Sequence, residues 1–167
     1  FIGAAIRDEG AYRALYGDLV ADAEDILVRI EELEALEADE TDEEKWVCSD
    51  MEHIRARAEE IYDDAFATQS ASDAVLLTLE NLAARYAIAS IEAQYSSEAA
   101  EEQIRITEEF MNLQANGLLH SSITIARDEF EVEETANELD ELASELETLC
   151  RIVPRRGDKD DDDKDRE

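Results

Sequence analysis

Two histidines, two cysteines and a large excess of carboxylates are the residues of this chain with the means to do chemistry. Cys48 and Cys150 are too few for a disulfide framework and do not have metal-site spacing. A bridge between them needs an oxidising compartment and a fold that brings both to one end. His53 follows a predicted helical face of Val47, Met51, Ile54, Ala58 and Ile61. At roughly 100° per residue it points about 120° away from the centre of that face, which places it toward solvent. His120 falls near a predicted helix start. Glu9 lies on the backward extension of an apolar seam, and an acid in a first helical turn is also favoured by the helix dipole. No glycine-rich phosphate loop, G-x-S-x-G elbow or Cys/His nucleophile pairing is present. No catalytic or cofactor-binding residue is therefore assigned, and a non-enzymatic role is expected.

The surface that must surround these residues is acidic. Lys and Arg total 15 against 46 Asp and Glu, for a net charge of −31 in 167 residues. Lysine occurs only at 45, 159 and 164. Apolar residues make up 44% of the chain and are periodic, so the charge coats a folded body rather than a disordered one. This composition is similar over the whole chain to proteins of salt-in halophiles, above all haloarchaea. The physical sense is that molar salt shortens the Debye length to about 3 Å and screens carboxylate repulsion. In dilute buffer the same charge destabilises the compact state. Nucleic acid and anionic membranes need basic patches, so neither is expected as a direct partner. No stretch of 18 residues is both apolar and free of charge, so no transmembrane helix is expected.

Periodicity sets the elements. Tyr12, Tyr16, Leu19, Ala23, Ile26, Ile30 and Leu33 alternate spacings of four and three, the pattern of a coiled-coil seam, and predict a helix from about 4 to 38. Thr41 and Glu44 read as a capping box for a second helix from 42 to about 67. Thr68 to Asp73, TQSASD, is a cluster of capping residues and predicts a break. The stretch AVLLTLENLAARYAIASI, residues 74–91, has only Glu80 and Arg85 charged. A helix apolar nearly all round is expected to be surrounded by others, so this one, about 73–95, reads as the central rod. Glu80 and Arg85 are five apart, so they do not face each other on one helix and each is expected at the rim or against a neighbouring helix. A further helix is expected over 98–115, ended by Asn116-Gly117. Residues 121–132 read as helix or as a short hairpin, with helix favoured. Val132, Thr135, Leu139, Leu142, Leu146, Leu149 and Val153 predict a last helix that Pro154 ends. Residues 154–167, nearly all charge, are expected to be a disordered tail. Five helices running up and down would bring Cys48 and Cys150 to the same end. One long helix over 98–153 would separate them.

Residues 5–25, AIRDEGAYRALYGDLVADAED, resemble the first helix of ferritin-like proteins of the rubrerythrin type. The resemblance implies a carboxylate bundle that binds iron or manganese, with Glu9 as a ligand. In that family the second helix supplies Glu-x-x-His, whose two side chains share a face. Here Asp50-Met51-Glu52-His53 gives Asp-x-x-His, with Asp50 as the matching acid and Glu92 as the acid of the third helix. The chain departs from the family's second Glu-x-x-His, because Gly117 stands three residues before His120.

The expected fold is all-α: an antiparallel up-down bundle of four or five long helices forming one domain over 1–153. The first functional expectation is a structural or protein-interaction bundle of a halophilic archaeon or its virus. It would self-associate or bind a protein partner in the cytoplasm and hold no cofactor. The alternatives are the ferritin-like metal protein with Glu9, Asp50 and Glu92, and a sensory or regulatory bundle from a membrane-tethered parent, which is an extracellular or tethered fragment.

Overall fold

A computed structural model describes residues 1–41 and 43–154. The protein is mostly helical, with four helices and a two-stranded sheet in the order α1 (Ile2–Ala38), β1 (Glu44–Cys48), α2 (Glu52–Glu92), α3 (Ser97–Ala115), α4 (Ser122–Leu149), β2 (Cys150–Pro154). The chain forms two compact units. Unit 1 comprises Phe1–Leu19 with Asp64–Glu134, and unit 2 comprises, of the described residues, those of Val20–Asp63 and of 135–154. Thus α1, α2 and α4 each contribute residues to both.

In unit 1 the core holds Ile2 of α1, Leu79, Leu82 and Ala89 of α2, and Ile106 and Phe110 of α3. The expected helix over 98–115 is present. The Ser96 hydroxyl accepts from the Ala99 N–H at its start. At its end, Leu118 N–H donates to Leu113 O and Gly117 N–H to Gln114 O, a Schellman motif in which Gly117 takes φ +68°. Residues 122–132 are helix and continue into the expected last helix as α4. Ser121 caps α4 by accepting from the Thr124 N–H.

In unit 2, Ala23, Ile26, Ile30 and Leu33 of α1, Ile54, Ala58 and Ile61 of α2, and Leu139 and Leu146 of α4 are buried. Each fully buried Leu or Ile contributes about 1.5–3 kcal/mol. Ion pairs link the helices across this unit. Arg29 forks onto Glu147 at 2.7 and 3.1 Å, Arg57 grips Glu138, and Arg55 meets Glu34. At surface exposure each is worth about 0–1 kcal/mol. Cys48 and Cys150 stand opposite each other in the β1–β2 ladder and form a disulfide across 102 residues of chain.

Three expectations are overturned. Residues 44–48 are strand, not helix. The Thr41 hydroxyl donates to Asp39 Oδ1 at 2.6 Å instead of capping a helix, and Asp50 accepts from Glu52 N–H at the true start of α2. The break at 68–73 does not occur. Thr68 satisfies its hydroxyl by donating to the Asp64 carbonyl one turn back, so its capping chemistry is spent inside a continuous helix. The last helix stops at Leu149, and Pro154 instead closes the edge strand β2, paired with Glu44. Residues 155–167 of the expected tail lie outside the described residues.

Candidate functional site

The seam of α1 does extend backwards from Tyr12 to Glu9 and Ile2, and Glu9 is buried there at 0% exposure. The buried stripe of α2 passes through Ser72, at 1% exposure, in phase with Ala65 before it and Leu79 after it. Asp128 falls on the stripe of α4 seven residues before Thr135. All three polar residues therefore occupy positions that spacing assigns to core, and all three belong to unit 1.

Their contacts make one network. Glu9 Oε2 accepts from the Ser72 hydroxyl at 3.0 Å. His120 Nδ1 lies 2.9 and 2.8 Å from Glu9 Oε1 and Oε2. Where the Glu9 carboxylate is ionised it only accepts, and Nδ1 is then the donor. The His120 ring lies flat on Tyr12, with centroids 3.6 Å apart and planes 7° from parallel. Tyr16 packs at a tilt on Tyr12 and donates its hydroxyl to Asp128 Oδ2 at 2.9 Å. Burial, more than any neighbour, raises the pKa of both phenols. For Tyr16 the hydrogen bond to Asp128 adds to it, because loss of the proton would set two anions together. Both tyrosines therefore remain protonated.

The Ser72 hydroxyl donates to the Glu9 carboxylate and not to the imidazole, and Ser72 and Glu9 are both closed off from solvent in this arrangement. The network satisfies a carboxylate that has no access to water, which is the condition for keeping a charge inside a core. His120 also lines an open cleft of about 350 Å³ whose walls include Ala4, Asp8, Phe110 and Leu119.

Of the acids matched by the ferritin-like resemblance, Glu9 has Ser72 and His120 as partners. Asp50 caps α2, and Glu92 is exposed at the last residue of that same helix. Among the described residues no group of three or more His, Cys, Asp or Glu is placed to hold a metal ion. His53 is exposed, with Nε2 2.8 Å from Glu145 Oε1.

No known family model, curated protein or solved structure matches the chain.

The sequence reading missed a second feature of unit 1, its outer surface. Leu77, Ile88, Ile91, Ile104, Ile123 and Phe130 are all more than half exposed. The expected central rod is buried on one stripe only. By length and composition α2 is apolar enough to cross a membrane, contrary to the expectation of no such helix, and only 17% of its most apolar window is buried. In unit 2, among the described residues, Val28 and Ile152 are the exposed large hydrophobics.

Proposed function

We propose that the protein is a non-enzymatic structural or interaction protein, an antiparallel helical bundle whose unit 1 is completed by protein contact. The observation that carries this is the apolar outer surface of unit 1. Monomeric proteins rarely leave large contiguous apolar patches in water, and each helix of unit 1 beyond α1 turns large apolar side chains outward. The near absence of lysine and the charge of −31 support a working medium of molar salt, as in a halophilic archaeon or its virus. There, hydrophobic contacts strengthen while the carboxylates are screened. The disulfide favours a compartment outside the cytoplasm.

Light scattering in molar KCl tests the reading. A discrete oligomer that loses mass and helicity in dilute buffer is expected. A monodisperse monomer, equally folded in both, overturns it.

A further inference from the structure

The outer face of α2 has the pattern of a two-stranded seam. At roughly 100° per residue, Leu77, Asn81, Ala84, Ile88 and Ile91 fall within an arc of about 80°. All five are exposed. The buried residues Leu79, Leu82 and Ala89 lie on the other side of the helix. The spacings of the exposed set alternate four and three, so Asn81 and Ile88 take heptad position a, and Leu77, Ala84 and Ile91 take position d.

In that register Glu80 is a g residue and Arg85 is the e residue of the next heptad. Five residues apart, they cannot meet on one helix. Across a parallel pair of helices, g faces the e of the following heptad on the partner, so the same spacing joins Glu80 to Arg85 of a second copy, twice by symmetry. These are the only charged residues of 74–91. An antiparallel pairing sets e against e and g against g. Arg85 then meets Thr78, Glu92 or its own copy, but Glu80 meets only Asp73, Ala87 or its own copy, so Glu80 is left without an opposite charge. A polar Asn at a single a position also fixes register in two-stranded pairs at some cost in stability.

We infer that two copies of this chain pair in parallel through the outer face of α2, with Leu77, Ala84, Ile88 and Ile91 in the seam, Asn81 beside Asn81 of the second copy, and Glu80 bonded to its Arg85. Arg85 holds Glu102 and Glu109 of its own α3 through Nε and both terminal nitrogens, and one of its five N–H donors remains for a further carboxylate. The inference rests on the interaction reading above and gives it a partner and a face.

The test uses the full chain in molar KCl. Ile88→Cys, under mild oxidation, is expected to cross-link to itself across the seam, while Met111→Cys on α3, also exposed, is not. Leu77→Glu with Ile88→Glu is expected to reduce the solution mass to that of a monomer with circular dichroism unchanged. An oligomer that ignores the double substitution and does not cross-link at residue 88 overturns the α2 seam and leaves the interaction reading standing. A wild-type monomer at every salt and protein concentration overturns both.

Discussion

Units 1 and 2 are built from the same three long helices and the same alternation of three and four, yet they use it differently. In unit 2 the seam is filled by aliphatic residues, Ile26, Ile30, Leu33, Ile54, Leu139 and Leu146. Its surface is closed by ion pairs between helices, and a disulfide fastens the ends of its strands. In unit 1 the seam admits Glu9 and Ser72, while large apolar side chains stand outside. Unit 1 still buries an apolar core of Ile2, Leu79, Leu82, Ile106 and Phe110, but it adds two polar residues to the inside and leaves large apolar ones outside. The difference teaches that equal periodicity does not mean equal self-sufficiency. Unit 2 satisfies its own surfaces, and unit 1 leaves some of them for a partner.

The largest effect should come from unfastening unit 2. Cys48→Ser with Cys150→Ser removes a cross-link over 102 residues, and should lower stability by about 2–5 kcal/mol. Denaturant unfolding in molar KCl checks this, and a loss below 1 kcal/mol would show that the ladder and core close unit 2 without it.

Breaking unit 1 from inside comes next. Glu9→Ala leaves Ser72 and His120 without their shared acceptor and opens a cavity, at a cost of about 2–4 kcal/mol by the same measurement. His120 is partly exposed and water can rescue it, so the loss should fall short of that for a pair with no access to solvent. No measurable change would mean that the polar layer is incidental to the core.

Glu138 of unit 2 and Tyr16 of unit 1 should also respond to opposite ends of the pH scale, by about 1 kcal/mol or less. The Arg57 guanidinium holds the Glu138 carboxyl below its ordinary 4.5. Its stabilisation is therefore present above pH 4.5 and is lost as pH falls through the lower folded value. Burial holds the Tyr16 phenol above its ordinary 10.0. Its stabilisation is present below pH 10 and is lost as pH rises through the higher folded value. Comparing Glu138→Gln and Tyr16→Phe with wild type across pH isolates each from the general relief of repulsion in acid. The Glu138 difference should vanish only at the acid end and the Tyr16 difference only at the alkaline end.

Much of this was legible in the sequence where spacing decides structure. The α1 seam, α3 with its Gly117 stop, and the helix favoured over a hairpin at residues 122–132 follow from periodicity and capping chemistry. The uninterrupted α2 was legible too, because the alternation from Met51 through Ala65 continues in phase through Ser72 to Leu79 and Ala89. Local capping propensity at TQSASD opposes that signal and predicts a break, and in the fold the burial of Ser72 prevails over it. The β1–β2 ladder was not legible. Five-residue strands more than 100 residues apart are defined by each other, and EKWVC and CRIVP say nothing of pairing until Cys48 and Cys150 are opposed. Glu9 stands on the predicted seam, but its partners are not legible, since TQSASD predicts a break at Ser72 and His120 has no spacing relation to Glu9. The outer apolar face of α2 was visible as composition. Its exposure was not, because a helix apolar all round reads as enclosed whether its second cover is its own chain or another.

The most direct measurement is side-chain footprinting in molar KCl at low and high protein concentration, read at Leu77, Ile88 and Ile91 in unit 1 and at Val28 and Ile152 in unit 2. The account predicts that labelling of the three α2 residues falls as concentration rises, while labelling of Val28 and Ile152 stays level. Labelling of all five that is unchanged across the range would contradict it, because unit 1 would then stand in water as completely as unit 2.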